Sequence, residues 1–580
     1  MVIKDYSRDA LLTDFGIATL KDRYLAEGET SPQDAFARAA EAFSDSPEMA
    51  QRIYDYASKL WFMFSTPILS NGGTKRGMPI SCFLNYVPDS RSGLTDHYTE
   101  NAWLSSMGGG IGGFWGDIRS NGVSTSGGSR SSGAIPFLKV VDAEVLAFAQ
   151  GITRRASYAA YLDISHPEIE EFLEIRKPSG GDANRRCLNL HHGINIPDAF
   201  MEAVEHGNVW NLIDPHSGKT TKVVPARELW QKILELRLAT GEPYLHFIDA
   251  SNAALPIEQR EAGLRVRQSN LCSEITLPTN EERTAVCCLS SVNLATWDQW
   301  HENSQFIGDL VRFLDNVLTF FIDNAPPELS KAVFAAKMER SIGLGAMGFH
   351  ALLQSKGVAF DSPMAVGINR KAFSHIKNSA QLATYSLALE RGACPDAGRR
   401  MVRNMHLLAI APNASSGIIC GNTSPSIEPY RANAYTQKTK TGSFLVTNPY
   451  LKKLLATRGF DNDVVWSGII TNGGSVQHLD CLTEYEKEVY KTAIEIDQRW
   501  IVDHAGDRQP FICQSQSVNL FLAADVHVSY LHHIHFRAWK KGMKSLYYLR
   551  SEAIKRAETV STKIERTALA DYETCLSCEG

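Results

Sequence analysis

A few short stretches of this 580-residue chain carry side chains that can do chemistry. In QSNLCSEITLPT (268–279), Asn270, Cys272 and Glu274 alternate, and on an extended backbone they share one face. An amide, a thiol and a carboxylate side by side suit a polar reaction pocket better than a core face. The plainer alternative is a buried cysteine with two polar neighbours at a strand end. A second strand-like run, AVCCLSSVNLA (285–295), holds Cys287 and Cys288, and GMPISCFLNYVPD holds Cys82. Alone, Cys82 reads as a small buried hydrophobe. At the C-terminus, Cys575 and Cys578 are separated by two residues. They form a dithiol, half a metal site, or neither. A zinc site normally takes four ligands, and no second CxxC or HxxxH pair lies beside them, so a thiol that must travel is the better explanation. His532, His533 and His535 sit in an apolar stretch with no carboxylate pair and read as structural. Tyr547 and Tyr548, adjacent in SLYYLRS, are packing residues or, because phenols are oxidisable by one electron, redox residues.

In APNASSGIICGNTSPSIEPY (411–430), Asn413, Ala414, Ser415 and Ser416 are small residues of the kind that open a helix. Exposed N–H groups and hydroxyls there could cradle phosphate oxygens, although an ordinary capped helix looks the same. No GxxxxGK[ST] segment occurs, which excludes a P-loop.

These groups need a large scaffold. The length predicts one large domain with additions, or several domains. A formal net charge of −5 gives no reason to expect a nucleic-acid or membrane partner. No apolar run approaches a membrane span, and the start lacks a signal-peptide pattern, so a cytoplasmic location is expected, that of a host cell for a viral chain. Thiols stay reduced there, which argues against a disulfide framework for the eleven cysteines. Residues 1–65 read as helical, with Ala35, Phe36, Ala39, Ala40 and Phe43 at helical spacing. Beyond Thr66, short apolar runs alternate with segments that read as loops, among them SNGGTKRG (70–77), GGGIGG (108–113) and SNGVSTSGGSRSSG (120–133). Helices are predicted over 226–239, with Gly241 as C-cap, and over 306–324. The mixture implies an α/β architecture ending in a mobile tail.

The order and spacing of TPILSNGG…SC, GGGIGG…IRSNG, RQSNLCSEITLPT, CCLSSVNLA, SIEPY with TGSFLVTNPYL after it, GMKSLYYLRS and the terminal cysteine pair resemble class I ribonucleotide reductase α subunits over roughly residues 60–580. The resemblance implies a ten-stranded α/β barrel, two antiparallel halves of five parallel strands, with a finger loop carrying Cys272 to its centre. The implied division is a helical region over 1–65, the barrel domain over 66–560 with a small α/β insertion at about 435–505, and a redox tail over 561–580.

It also implies roles. Cys272 would carry a thiyl radical that takes the 3′-hydrogen of a ribose. Cys82 and Cys287 would deliver reducing equivalents and close to a disulfide, with Cys288 structural; the choice of Cys287 rests on motif register. Glu274 would be the base on the 3′-hydroxyl and Asn270 the amide that bonds the substrate. Tyr547 and Tyr548 would relay an oxidising equivalent to Cys272. Cys575 and Cys578 would re-reduce the buried disulfide, since thiol–disulfide exchange demands direct sulfur contact. Thr66, Ser81 and Asn413, Ala414, Ser415 and Ser416 would hold the substrate's phosphates. Asp89, Arg119 and Arg154 would bind a dNTP or ATP effector, with Mg2+, at a homodimer interface. No metal is expected in this chain, because a metal-containing β subunit would supply the radical. Thioredoxin or glutaredoxin would be the external reductant and a ribonucleoside diphosphate the substrate.

Many family members have an N-terminal ATP-binding domain, but only 81 residues precede Cys82. That domain, and inhibition by dATP through it, are expected to be absent. An adenosylcobalamin-dependent reductase is the near alternative, disfavoured by the tyrosine pair. A glycyl-radical enzyme is disfavoured by the lack of an RVxGY-like segment, and a catalytically dead nucleotide-binding regulator by the full set of thiols.

Overall fold

Serine–proline pairs start two of the N-terminal helices. Ser31 caps Pro32–Phe43 and forms a reciprocal capping box with Asp34, while Ser46 caps Pro47–Ser58. Both helices bury an apolar stripe, and Arg52 ties the layer to Asp309 of helix Phe306–Asn324 by two bonds of 2.7 and 2.9 Å. The computed structural model describes residues 1–148, 156–177, 181–439, 442–523 and 525–551. Arg154, Cys575 and Cys578 lie outside the described residues.

Strands β1 (Cys82–Tyr86), β2 (Gly110–Phe114), β3 (Ser157–Asp163), β4 (His191–Ile196) and β5 (Tyr244–Phe247) pair in that order, each parallel to the last. Parallel neighbours need crossovers, which helices such as Arg91–Ser106, Ile135–Ala147 and Ala226–Thr240 supply. Helix Ala226–Thr240 ends on Gly241 in the left-handed conformation, as its spacing predicts.

The second half runs the other way. Strand β6 (Ala285–Asn293) is antiparallel to β1, and β7 (Ile342–Met347) is parallel to β6. Segment 407–411 follows β7, with Leu344 N–H donating to Leu407 at 2.8 Å. Segment 514–518 follows in turn through Ile410 N–H to Ser515 at 3.1 Å and Ser517 N–H to Ile410 at 2.9 Å. Segment 545–551 comes last, with Tyr547 N–H donating to Val518 at 2.9 Å and Leu520 N–H to Tyr548 at 3.0 Å. Ser545–Leu546 then pairs antiparallel with β5. Five parallel strands and five parallel extended segments thus close into a ring, the barrel expected from the motif order.

Two local expectations fail. GGGIGG is not a loop: residues 110–114 are β2. Its glycines make room, since a Cβ on Gly112 would lie 2.0 Å from the Ser269 carbonyl oxygen. Conversely, 268–279 is a loop inside the ring rather than a strand, and Ser273 adopts φ 66°, so strict alternation does not hold across it.

After the Asn413 region, an antiparallel hairpin (Ala434–Thr439 with Gly442–Thr447) and helices Pro449–Thr457, Asp463–Thr471 and Glu484–Val489 pack around their own apolar cluster, which includes Leu451, Leu455, Trp466 and Ile469. Helix Gln498–Arg508 instead places Ile501, Val502 and Ala505 in the main core. Among the described residues, no helix is long and apolar enough to cross a membrane.

Candidate active site

The inner loop is held by its own backbone groups. Asn270 Oδ1 accepts from the N–H groups of Glu274 and Ile275, both at 3.1 Å. This fixes the amide, and Asn270 Nδ2 is left buried without a protein partner among the described residues. A buried donor without a partner costs free energy unless a ligand takes it. Hydroxyls from three elements secure the loop's carbonyls: Tyr161 donates to Asn270 at 2.8 Å, Ser545 to Ser273 at 2.7 Å and Ser517 to Cys272 at 2.5 Å. Ser517 also lies 3.2 Å from Glu274 Oε2. Cys272 and Glu274 are both buried.

Beside this loop, Cys82 and Cys287 are direct cross-strand partners on β1 and β6. Opposed residues of an antiparallel pair have Cα atoms about 4.5–5.5 Å apart, a separation that a disulfide can span. The two are thiols here, not a disulfide. They share an apolar cluster with Ile275 and Leu277 of the inner loop and with Leu84, Leu289, Ala409 and Ala411. Cys288, one residue along, points to the opposite face and joins the outer core. Burial, reinforced by Cys82, pushes the Cys287 thiol well above its usual range, and a hydrogen bond from Gln514 opposes the shift.

On the other side, Tyr547 and Tyr548 have ring centroids 4.3 Å apart. Tyr244 lies 4.8 Å from the first and 5.1 Å from the second. All three pack with Leu271 and Cys272 in one cluster. The Tyr548 oxygen is 3.2 Å from His191 Nδ1, which is 2.6 Å from Glu242. His192 reaches the same carboxylate at 3.0 Å and Arg176 at 3.5 Å. Burial opposes its charge, but Arg176 and the two histidines hold the Glu242 carboxyl well below the usual carboxylate range.

Asn413, at φ 54°, precedes the short helix Ala414–Ile419, in which Ser415 and Ser416 are buried. Its Oδ1 accepts from Ser291 at 2.9 Å. That helix packs on strand Phe62–Phe64, next to Thr66, whose hydroxyl is 3.0 Å from that of Tyr24. Ser65, ahead of Thr66, keeps a buried hydroxyl without a protein partner among the described residues. Ser81, buried, immediately precedes β1. Asp89 and Arg119 pair with each other at 2.8 Å, just ahead of helix Arg91–Ser106, and Arg119 also reaches the Ser124 carbonyl at 3.3 Å. His532 accepts from Trp230, and His535 pairs with Arg237. Among the described residues, no cluster of three or more His, Cys, Asp or Glu is placed to hold a metal ion.

The structure therefore gathers Cys272, Glu274, Asn270, Cys82, Cys287, Tyr547 and Tyr548 around one loop, and places Asp89 and Arg119 as a separate pair. It adds Tyr161, Ser517, Gln514, His191 and Glu242. The alternation QSQS at 514–517, polar within an apolar stretch, is the one signal that could have pointed to two of these.

The geometry has close counterparts. The family model for the ribonucleotide reductase barrel domain matches residues 80–401 and 398–549, and that for the ribonucleotide reductase all-alpha domain matches residues 10–77. The chain belongs to the ribonucleotide reductase family, as a large subunit whose reaction is the reduction of ribonucleotides to deoxyribonucleotides. It is similar to the ribonucleoside-diphosphate reductase large subunit of Invertebrate iridescent virus 3, with 46% identity covering 100% of both chains. It is similar also to a putative ribonucleoside-diphosphate reductase large subunit of Frog virus 3, with 49% identity over 93% of this chain and 94% of the other. The solved α subunit of the Actinobacillus ureae class Id ribonucleotide reductase superposes with a TM-score of 0.83 and 33% identity, covering 96% of this chain and 100% of that one. As a large subunit, this chain acts with a small-subunit partner on a ribonucleotide.

Proposed function

We propose that this chain reduces ribonucleoside diphosphates by radical chemistry on Cys272, with Cys82 and Cys287 as the reductant. The observation that carries the reading is the juxtaposition of an opposed cysteine pair with a buried loop that presents a thiol, a carboxylate and an amide nitrogen with no partner among the described residues. Cleaving the ribose 2′ C–O bond by closed-shell chemistry is difficult. Loss of the 3′-hydrogen to Cys272 labilises the neighbouring hydroxyl, with Glu274 taking the 3′ proton and the Asn270 amide bonding the sugar. The ring excludes water from these steps. One hydrogen of the Cys82–Cys287 pair leaves with the 2′-hydroxyl as water, and the other takes its place at C2′ as the pair closes to a disulfide. Glu274 returns its proton and Cys272 its hydrogen to the sugar, and the tail dithiol Cys575–Cys578 reopens the disulfide. Thioredoxin or glutaredoxin renews the tail.

A metal-containing small subunit supplies the oxidising equivalent, and the packing of Tyr547 and Tyr548 against each other, in one cluster with Cys272, supports these rings as its path. Thr66, Ser81 and residues 413–416 hold the diphosphate. Asp89, Arg119 and Arg154 bind a dNTP or ATP with Mg2+. Trp103, Val140 and Leu146 leave apolar surface exposed on the helices that follow Asp89 and Arg119, and Phe148 does so just past the second, which supports a second copy of the chain covering them in a homodimer. The chain divides into a helical region to about residue 65, the barrel to about 560 with an insertion that starts at about 435 and, short of the expected 505, ends before helix Gln498–Arg508, and a redox tail, and it works in the cytoplasm.

The test is CDP reduction with a matching small subunit. Cys272→Ser should lower turnover by at least about a thousandfold while CDP still binds. Surviving reduction in that variant overturns the mechanism.

A further inference from the structure

We propose that Gln514 is a catalytic hydrogen-bond donor to the sulfur of Cys287, and that it makes Cys287 the departing thiolate when the Cys82–Cys287 disulfide is reduced. This rests on the reading of that pair as the redox pair.

Gln514 Nε2 lies 3.7 Å from Cys287 Sγ and 3.0 Å from the Ile342 carbonyl oxygen. The carbonyl fixes the amide, because turning it over would set Oε1 against another acceptor. One N–H therefore points at sulfur. The side chain is fully buried, and its Oε1 has no partner among the described residues. Packing alone does not favour a buried amide with an unused oxygen; this orientation secures the N–H···S contact. The surrounding backbone is pinned as well, since the ammonium of buried Lys544 donates to the carbonyls of Cys513 and Gln514.

Cys287 is also enclosed. A Cβ added at Gly343 of β7 would lie only 2.9 Å from its Sγ, so a second sulfur has no room on that side. Exchange proceeds by a thiolate attacking one sulfur while the other leaves. The enclosed sulfur with a donor aimed at it is the one suited to leave.

A thiolate of the reducing dithiol attacks Cys82 Sγ. The Cys82–Cys287 bond breaks, and its electron pair goes to Cys287 Sγ, where the Gln514 N–H stabilises the charge. The second thiolate of the dithiol attacks the mixed disulfide and releases Cys82. The two protons given up by the dithiol complete the Cys82 and Cys287 thiols. The dithiol ends as a disulfide and the pair as two thiols. Burial raises the Cys287 thiol, so an unassisted thiolate there would be a poor leaving group.

The full chain is oxidised by diamide, or, together with its small subunit, by one turnover on CDP without reductant. It is then treated with 2-mercaptoethanol, quenched in acid and mapped by peptide mass spectrometry. The adduct is expected on Cys82. In Gln514→Met, which keeps the bulk without the N–H, reduction by dithiothreitol should slow by about tenfold. The pH profile of Cys287 alkylation should rise by about one unit, with CDP affinity unchanged. An adduct on Cys287, or a Met variant with unchanged rate and profile, overturns the proposal. If that variant does not fold, adduct mapping on the unaltered chain still decides. If neither oxidation links Cys82 to Cys287, the redox-pair reading itself falls, a result distinguishable from either of these.

Discussion

The two flanks of Cys272 are built differently. On the cysteine side the wall is hydrocarbon apart from the Gln514 amide: Leu84, Ile275, Leu277, Leu289, Ala409 and Ala411. On the tyrosine side, three phenol rings lead outward to a carboxylate held between Arg176 and two histidines. On the mechanism proposed above, the difference follows from what each side would move. A thiol that gives up a hydrogen atom should stay neutral, and a dry wall keeps it so by disfavouring the thiolate. A tyrosine that loses an electron also sheds a proton, and fixed charges near the outer ring suit that event. If this contrast is functional, adjacent or matched residues on the two flanks should respond unequally.

The largest effect is expected within one strand of the dry flank. Cys287→Ser should cut multiple turnover by about a thousandfold, because the disulfide cannot form. Cys288→Ala, one residue away but facing the outer core, should keep turnover within about twofold and lower stability by roughly 1 kcal/mol. Steady-state CDP reduction beside denaturant melts separates them, and equal losses of turnover would erase the distinction between the two faces of β6.

Ions should also behave oppositely on the two flanks. Lys544, behind Gln514, has no carboxylate partner among the described residues, and burial pushes it down from the usual 10.5 to about 8. Between those values the unfolded chain binds the proton and the folded chain does not, so stability rises with pH across that window. Below about pH 8 the penalty for the buried charge is fully present. Relative to Lys544→Met, the native chain should gain about 3 kcal/mol between pH 8 and 10.5, read from denaturant midpoints. Glu242 runs the other way: its folded value is depressed, so its contribution is present above the ordinary carboxylate range and is lost as pH falls below it. A flat difference for Lys544 would mean that water reaches the dry flank.

Much of the scaffold was legible because its signals are local. Gly241 ends its helix, and the apolar run at 306–324 is a helix with those bounds. The inner loop was not legible, because period-two alternation looks the same on a strand as on a loop whose Asn270 amide captures two backbone N–H groups. GGGIGG read as a loop because only the packed structure reveals that Ser269 presses on Gly112. The tyrosine pair stood out in sequence. Its ionic surroundings did not, since Arg176, His191 and Glu242 come from three segments and no spacing links them.

The smallest effect is expected at those surroundings. His191 and His192 bond the same carboxylate, but only His191 also reaches Tyr548. With Glu242 held ionised, the His191 Nδ1 carries its proton and offers it to both Glu242 and the phenol oxygen. A donor on that oxygen fixes the outer ring and favours its oxidised form, which accepts but cannot donate. His191→Phe should therefore lower kcat about tenfold, equivalent to about 1.4 kcal/mol, with KM for CDP unmoved. His192→Phe loses a bond to the same carboxylate without touching Tyr548, so it should cost stability while leaving kcat within about twofold. Parallel kcat and melting measurements on the pair decide the matter: if both variants lose activity only in proportion to stability, the charges at this end serve folding alone.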